Sequence, residues 1–269
     1  MNYPKIIINN KNIPNHPLTR EYPILSVFDH AKKTQVVHVC IEENIMLHLD
    51  GQKLTSLKVS PSDFPAFAIG FVICEALVPG IESIQEVLID FPDISITTHD
   101  GIQDDKKHTT EIRSAGVGIG NREEFKDQPL GPGVSISIDT LLKGLDAFRE
   151  VSPVWKVTGG THCSAIIDEH GKLLCSTEDI GRHNSVDKTV GKALLDGVDL
   201  SRCFIVSTGR LPADMVAKAY RAGITIMVSN NAPFSSGIEF AERMNMTLIG
   251  FARPPKMSIY SHPERIHFY

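Results

Sequence analysis

The pattern of apolar and polar positions changes character near the middle of the chain. In the first half, short runs rich in β-branched residues predict strands at 6–8, 36–41 and 45–49, the last closed by an Asp50-Gly51 turn. One helical stripe interrupts them. Positions 60–63 offer helix starts, and Phe64, Phe67, Ala68, Phe71 and Cys74 recur at helical spacing until Pro79-Gly80 stops them. Strands at 87–91 and 94–98 follow, so this half reads as a small, mainly antiparallel α+β layer. The polar stretch 103–108 reads as a solvated turn. After a short strand from Thr110, the glycine-rich RSAGVGIGNREEF reads as a loop that runs on through Pro129, Gly131, Pro132 and Gly133.

From Asp139, which is placed to cap a helix, Leu141, Leu142, Leu145 and Phe148 keep helical spacing up to Pro153. A hairpin follows, with strands at 163–167 and 173–177 around a turn at 168–171. A helix at 183–195 carries Val186, Val190, Ala193 and Leu194 on one face. Strand 203–207, helix 212–222 closed by Gly223, strand 224–229, helix 236–244 and strand 247–251 then alternate. Such alternation requires a largely parallel sheet with helices on both faces. The expected fold class is α/β in two domains: residues 1–135, including the glycine-rich loop 114–133, and residues 136–269.

Composition adds bounds. A net charge of -5 and 22% charged residues exclude a nucleic-acid coat, and no apolar run reaches bilayer length. The N-terminus lacks the basic start, apolar middle and small-residue cleavage site of a signal peptide, which predicts a cytoplasmic protein. The five cysteines include no CxxC pair. Cys40, Cys74 and Cys203 lie in apolar patterns and read as buried thiols. With a four-residue hairpin loop Cys163 would face Ser176, leaving Cys175 on the opposite face of the sheet, so neither a bridge nor a shared metal joins them.

Candidate chemistry gathers between residues 158 and 188. Thr158, Gly159, Gly160 and His162 fall at the same end of the hairpin as the EDIGRH string. That string opens a helix whose free N–H groups favour an anion, and Arg182 adds a guanidinium fork. Glu178, Asp179 and Asp187 add acceptors. Ligands of open α/β sheets gather beyond the strand ends. Here those ends deliver Thr208, Gly209 and Arg210, then Asn230 and Asn231, then Arg253 and Lys256. The set predicts one pocket for a phosphate-bearing ligand with a hydrogen-bonding base. Glycines 116, 118 and 120 lack the Lys-Ser or Lys-Thr that a nucleotide loop needs.

The strings FAIGF (67–71), TGGTH (158–162), EDIGRHNSVDK (178–188), STGR followed by DMVAKA, LIGFARPPK and HPERI resemble the FdhD/NarQ family of formate dehydrogenase accessory sulfurtransferases. The resemblance implies a homodimeric, cytoplasmic sulfur carrier. Such a protein takes persulfide sulfur from a cysteine desulfurase and passes it to the molybdenum or tungsten bis(molybdopterin guanine dinucleotide) cofactor before insertion into the formate dehydrogenase catalytic subunit. It also implies a three-layer, cytidine deaminase-like C-terminal domain with a mixed sheet, and a cofactor-binding segment at Phe251, Ala252, Arg253, Pro254, Pro255 and Lys256. His162, Arg182, His183, Arg210, Arg253 and Lys256 would then meet phosphate or pterin oxygens, while Glu178, Asp179, Asp187 or Asn230 would accept from guanine. The family's CxxC falls on Ala115 and Gly118, neither of which holds sulfur. Two repairs follow: Cys163 or Cys175 substitutes as nucleophile, or the chain carries the cofactor without sulfur chemistry. No catalytic metal of its own is expected, because the H-x-E and P-C-x-x-C pattern of zinc deaminases is absent.

Overall fold

The computed structural model describes residues 3–9, 17–101, 109–113, 116–120 and 128–268, with the backbone alone for 109–113 and 116–120. The chain opens with β1 (Lys5–Ile8), β2 (Thr19–Phe28), β3 (Ala31–Cys40), β4 (Glu43–Leu49) and β5 (Gln52–Val59), then α1 (Phe64–Cys74), β6 (Ile84–Asp90) and β7 (Asp93–Thr98). Five of the strands form a mixed sheet in the order β1-β6-β7-β4-β5. The pairs β1/β6 and β4/β7 are parallel, so the layer is less antiparallel than its pattern predicts. Two of these seven strands were not foreseen. β5 is concealed by its polar outer face (Lys53, Ser56, Lys58), and β2 pairs only with β3 in a hairpin of its own that leaves Val27 and Phe28 64% and 83% exposed.

α1 is buried at every position except Pro65, not along one stripe. Its sequence FPAFAIGFVIC is apolar all round, which suits a helix enclosed on all sides. It lies between the N-terminal sheet and the C-terminal helices, where Gly70 meets the backbone of Asp187 and Gly191. The glycine-rich string is strand, not loop: β8 (Thr109–Arg113) pairs antiparallel with β9 (Gly116–Gly120), setting Gly118 opposite Glu111. Ala115 lies outside the described residues.

The second half runs β10 (Ile136–Ser137), α2 (Ile138–Phe148), α3 (Pro153–Thr158), β11 (His162–Asp168), β12 (Leu173–Asp179), α4 (Arg182–Leu195) and β13 (Cys203–Ser207). It continues through α5 (Ala213–Arg221), β14 (Ile226–Ser229), α6 (Ser235–Arg243), β15 (Thr247–Arg253), β16 (Lys256–Ser261) and β17 (Ile266–His267). Six strands form one sheet in the order β12-β11-β13-β14-β15-β16, parallel across β13, β14 and β15 and antiparallel elsewhere. One face packs its apolar side chains with α4, α5 and α6, the other with α2, giving three layers. Residues 130–132 already bond to this half, through Leu130 N–H to Met244 O and Arg265 Nε to Pro132 O.

Local chemistry corrects two helix ends. Ser137, not Asp139, caps α2, its Oγ accepting the Thr140 N–H at 3.0 Å. Pro153 starts α3 instead of merely stopping α2, since proline at the first helical turn loses no hydrogen bond. The hairpin register sets Cys163 opposite Glu178, two residues beyond the expected Ser176, because the turn closes between Asp168 and Lys172 and a bulge near Ile166 adds a further residue. The parity holds, and Cys163 and Cys175 enter different core clusters.

Candidate functional site

The loop after α3 is shaped by its own sequence. Gly159 adopts φ +65° and ends the helix, its N–H returning to Trp155 O at 2.7 Å. Thr158 Oγ1 donates to Val154 O at 2.7 Å and accepts from Gly160 N–H and the Cys40 thiol, each at 3.1 Å. A side chain at Gly160 would meet Cys40 Sγ at 2.7 Å, so only glycine lets this loop lie against the thiol. Glu178 holds the loop from beneath. It accepts the N–H groups of Val154 and Trp155 at 2.9 and 2.8 Å, the free donors at the start of α3, and the Thr161 hydroxyl at 2.8 Å.

Beyond this loop lies a cavity of about 620 Å³, bounded by Trp155, Gly159, Gly160, Thr161, His162, Ile180, Thr208, Asn230, Asn231 and the Ala252-Arg253-Pro254 turn. The ends of β13, β14 and β15 therefore do converge. Its charged lining is Arg149 and Arg253, with no carboxylate among the described lining residues. Asn230 Oδ1 is buried there without a hydrogen-bond partner. Such an acceptor costs about 1–3 kcal/mol until a donor arrives.

The expectation of a single pocket is corrected. Arg182 and His183 line a second cavity of about 520 Å³ with Glu42, Lys58, Glu75, Asp187 and Lys218, and only His162 and Ile180 border both spaces. Arg210 lines neither; it is exposed, with its guanidinium 5.6 Å from the Phe234 ring. Gly209 is buried against the Arg182 side chain. Phe251, Pro255 and Lys256 face an outer cleft of about 690 Å³, and Arg253 is shared between that cleft and the first cavity. The strand ends point to different sides because β15 and β16 turn tightly at Pro254-Pro255, which splits the FARPPK segment.

Three of the expected guanine acceptors are engaged inside the protein. Glu178 holds the α3 loop. Asp179, fully buried, binds Lys188 Nζ at 2.7 Å, Ser60 N–H at 2.9 Å and Gly181 N–H at 2.8 Å. Asp187 accepts Lys218 Nζ at 2.7 and 2.9 Å, with Glu75 on the same ammonium at 2.6 Å. Asn230 alone retains an open acceptor.

Burial also overturns the substitute nucleophiles. Cys163 is 1% exposed, and burial, aided by Glu178, pushes its thiol to about 12. Burial takes Cys175 to about 11 and Cys203 to about 12, and lifts Cys74 well above the ordinary range. At neutral pH such thiols hold almost no thiolate. Cys40, expected to be buried, is the one half-buried cysteine. Sequence reasoning missed it because VVHVC looks like core, whereas β3 belongs to the exposed hairpin. Trp155 was missed too, although a lone tryptophan three residues before TGGTH, 53% exposed in the structure, was a readable signal.

His162 and His183 are held below the usual imidazole range. Burial is the main cause for both; Arg182 and His183 add to it at His162, while at His183 the Asp214 carboxylate 3.2 Å away opposes it. The folded rings bind a proton less readily than the unfolded ones, so their contribution is full above about pH 6.5 and is lost as pH falls toward the folded values. The thermal midpoint should therefore drop between pH 7.5 and 5.5, and His162→Gln with His183→Gln should flatten that slope. A wild-type midpoint that rises on acidification would contradict it.

This arrangement is a three-layer α/β domain with a mixed sheet and a cavity of about 620 Å³ at its strand ends. The FdhD/NarQ profile matches residues 40–267, and the chain belongs to that family, whose members are formate dehydrogenase accessory sulfur carriers. Sulfur carrier protein FdhD of Wolinella succinogenes is 35% identical over 232 residues, covering 84% of this chain and 81% of that protein. Sulfur carrier protein FdhD of Methanothermobacter thermautotrophicus is 32% identical over 249 residues, 93% of this chain and 99% of that one. The crystal structure of a candidate formate dehydrogenase accessory protein from Desulfotalea psychrophila superposes with a TM-score of 0.79 at 27% identity, covering 93% of this chain and all of that one. Among the described residues no helix is long and apolar enough to cross a membrane.

Proposed function

We propose that this chain binds the guanine dinucleotide form of the molybdenum or tungsten bis(molybdopterin) cofactor in the 620 Å³ cavity, and that it carries sulfur for that cofactor on Cys40. Arg149 and Arg253 suit its phosphates, and Asn230 Oδ1 suits the donor edge of guanine. The observation that carries the reading is contact between Cys40 Sγ and the Thr158-Gly160 loop, the wall of that cavity. Four of the five thiols are shut into the core, so a persulfide on this chain has one accessible place.

In the loading step the Cys40 thiolate attacks the outer sulfur of a cysteine desulfurase persulfide. The donor S–S bond breaks, the desulfurase cysteine leaves as thiolate, and a new S–S bond remains on Cys40. The cofactor, once bound, is the sulfur acceptor; the chain's residues orient it. Delivery to the formate dehydrogenase catalytic subunit, and assembly as a homodimer in the cytoplasm, belong to the same proposal.

After incubation with a cysteine desulfurase and cysteine, intact mass should show a thiol-sensitive gain of one sulfur. Cys40→Ser should abolish the gain and Cys163→Ala should retain it. No gain in the wild type would leave the second reading, favoured by Ala115 and Gly118 at the CxxC positions: a cofactor carrier without sulfur chemistry.

A further inference from the structure

His162 borders both cavities, and one hydroxyl decides which ring nitrogen it offers them. Thr208 Oγ1 accepts the Cys163 N–H at 3.0 Å, so its single proton must be donated elsewhere. The ring nitrogen within reach is His162 Nδ1 at 3.1 Å. Were Nδ1 protonated instead, it would itself donate to Thr208, to that hydroxyl oxygen or to the backbone carbonyl that also lies within reach of the ring. The hydroxyl proton would then have no partner among the described residues, which disfavours that tautomer. Thr208 has little freedom to turn away. Its N–H donates to Cys163 O at 2.9 Å and its carbonyl accepts Asn231 Nδ2 at 2.9 Å. Buried hydroxyls hold the next residue, Ser207 Oγ accepting the Gly209 N–H at 3.1 Å and Ser229 Oγ donating to Gly209 O at 2.6 Å.

We propose that Thr208 is a positioning residue that keeps His162 neutral with its proton on Nε2, and that this N–H donates to a phosphate oxygen of one ligand lying across both cavities. The inference rests on the nucleotide reading of the first cavity and extends it. A guanosine unit fits a space of 620 Å³, and the adjoining 520 Å³ gives the remainder of a longer, two-headed ligand its place. The junction suits a phosphate for a second reason. Arg182 and Arg210 are close enough to His162 to disfavour a third positive charge there, so the ring meets an anion as a neutral donor beside cations. A ring with its proton on Nε2 cannot take a proton from the ligand at that atom, which excludes a general-base role for it.

The test reads the tautomer and the phosphate separately. Long-range ¹H–¹⁵N spectra of the ligand-free protein should show His162 protonated on Nε2, unchanged in Thr208→Ser and altered in Thr208→Val. Thr208→Val should bind GDP about tenfold more weakly, a larger factor than its loss of guanosine affinity, through the loss of one oriented hydrogen bond to a charged group. His162→Gln, which restores an amide donor, should bind GDP more tightly than His162→Leu, a comparison that stands even if Thr208→Val fails to fold. A wild-type ring protonated on Nδ1, or equal GDP affinity in His162→Gln and His162→Leu, would overturn the inference. Guanosine and GDP both failing to bind wild-type protein would overturn the nucleotide reading itself, whatever the tautomer.

Discussion

Gly191→Ala is expected to lower the unfolding midpoint by on the order of 10 °C, the equivalent of about 3 kcal/mol or more for a chain of this size. α1 and α4 cross with their backbones in contact. A Cβ on Gly191 would overlap the Ala66 carbonyl oxygen and lie 2.7 Å from Gly70 N, and a Cβ on Gly70 would overlap the Asp187 carbonyl oxygen. Neither obstacle is the tip of a side chain that can rotate away; the helices themselves must separate. α1 is enclosed by the N-terminal sheet on its other side, so separation opens a void in one core or strains the other. The intrinsic preference of a helix for alanine over glycine works in the opposite direction by only about 1 kcal/mol. Gly131→Ala, which meets nothing within 4 Å, is the control and should leave the midpoint unchanged. Thermal unfolding followed by circular dichroism decides it, and a Gly191→Ala midpoint within a degree or two of wild type would mean the helices do not touch as described.

Lys218→Met should cost about 3–5 kcal/mol at pH 8, and it should reverse the protein's response to acid. The Lys218 ammonium is 1% exposed and is shared by Glu75 at the end of α1 and Asp187 on α4, with the Phe71 ring 5.7 Å away. Methionine fills the volume but leaves two buried carboxylates facing each other. Burial already raises the carboxyl of Asp187 against the pull of Lys218; without the ammonium both folded carboxyls lie above their unfolded values. A raised carboxyl destabilises the fold above its folded pKa and is relieved as pH falls through it. The variant should therefore gain stability from pH 8 toward pH 5, where the wild type loses it through His162 and His183. Adding Glu75→Gln should restore part of the loss. If the single variant shows the wild-type slope, the triad is not the buried charge cluster described here. The triad also forms part of the wall of the second cavity, so its geometry bears on what that cavity can hold.

Some of the site was legible before any coordinates. The convergence of Thr208, Asn230 and Arg253 with the TGGTH loop follows from alternation alone, because parallel strands β13, β14 and β15 must deliver their C-terminal ends to one edge. Which acidic groups were available was not legible. Glu178, Asp179 and Asp187 look equally polar in the string EDIGRHNSVD, yet each is committed to a partner elsewhere in the fold: the start of α3, Ser60 and Lys188, and Lys218. A helix-start motif shows which groups are offered and not which are already taken. The cysteines make the same point. Apolar neighbours predicted burial for Cys40 as for Cys74 and Cys203, but β3 pairs only with β2, in a hairpin apart from the larger sheets, and the thiol at its end stays within reach.

Local preferences decided the elements of this protein: the all-apolar α1, the hairpin of β11 and β12, the glycine that ends α3, and the strand-helix alternation that requires a sheet covered on both faces. These depend on residues a few positions apart, whose spacing is written in the chain. The partition of one expected pocket into two cavities at His162, the engagement of the carboxylates, and the choice of Cys40 over Cys163 were decided only by tertiary structure. Each depends on desolvation and on partners up to more than a hundred residues away, and those quantities do not exist until the two sheets close on α1 and α4.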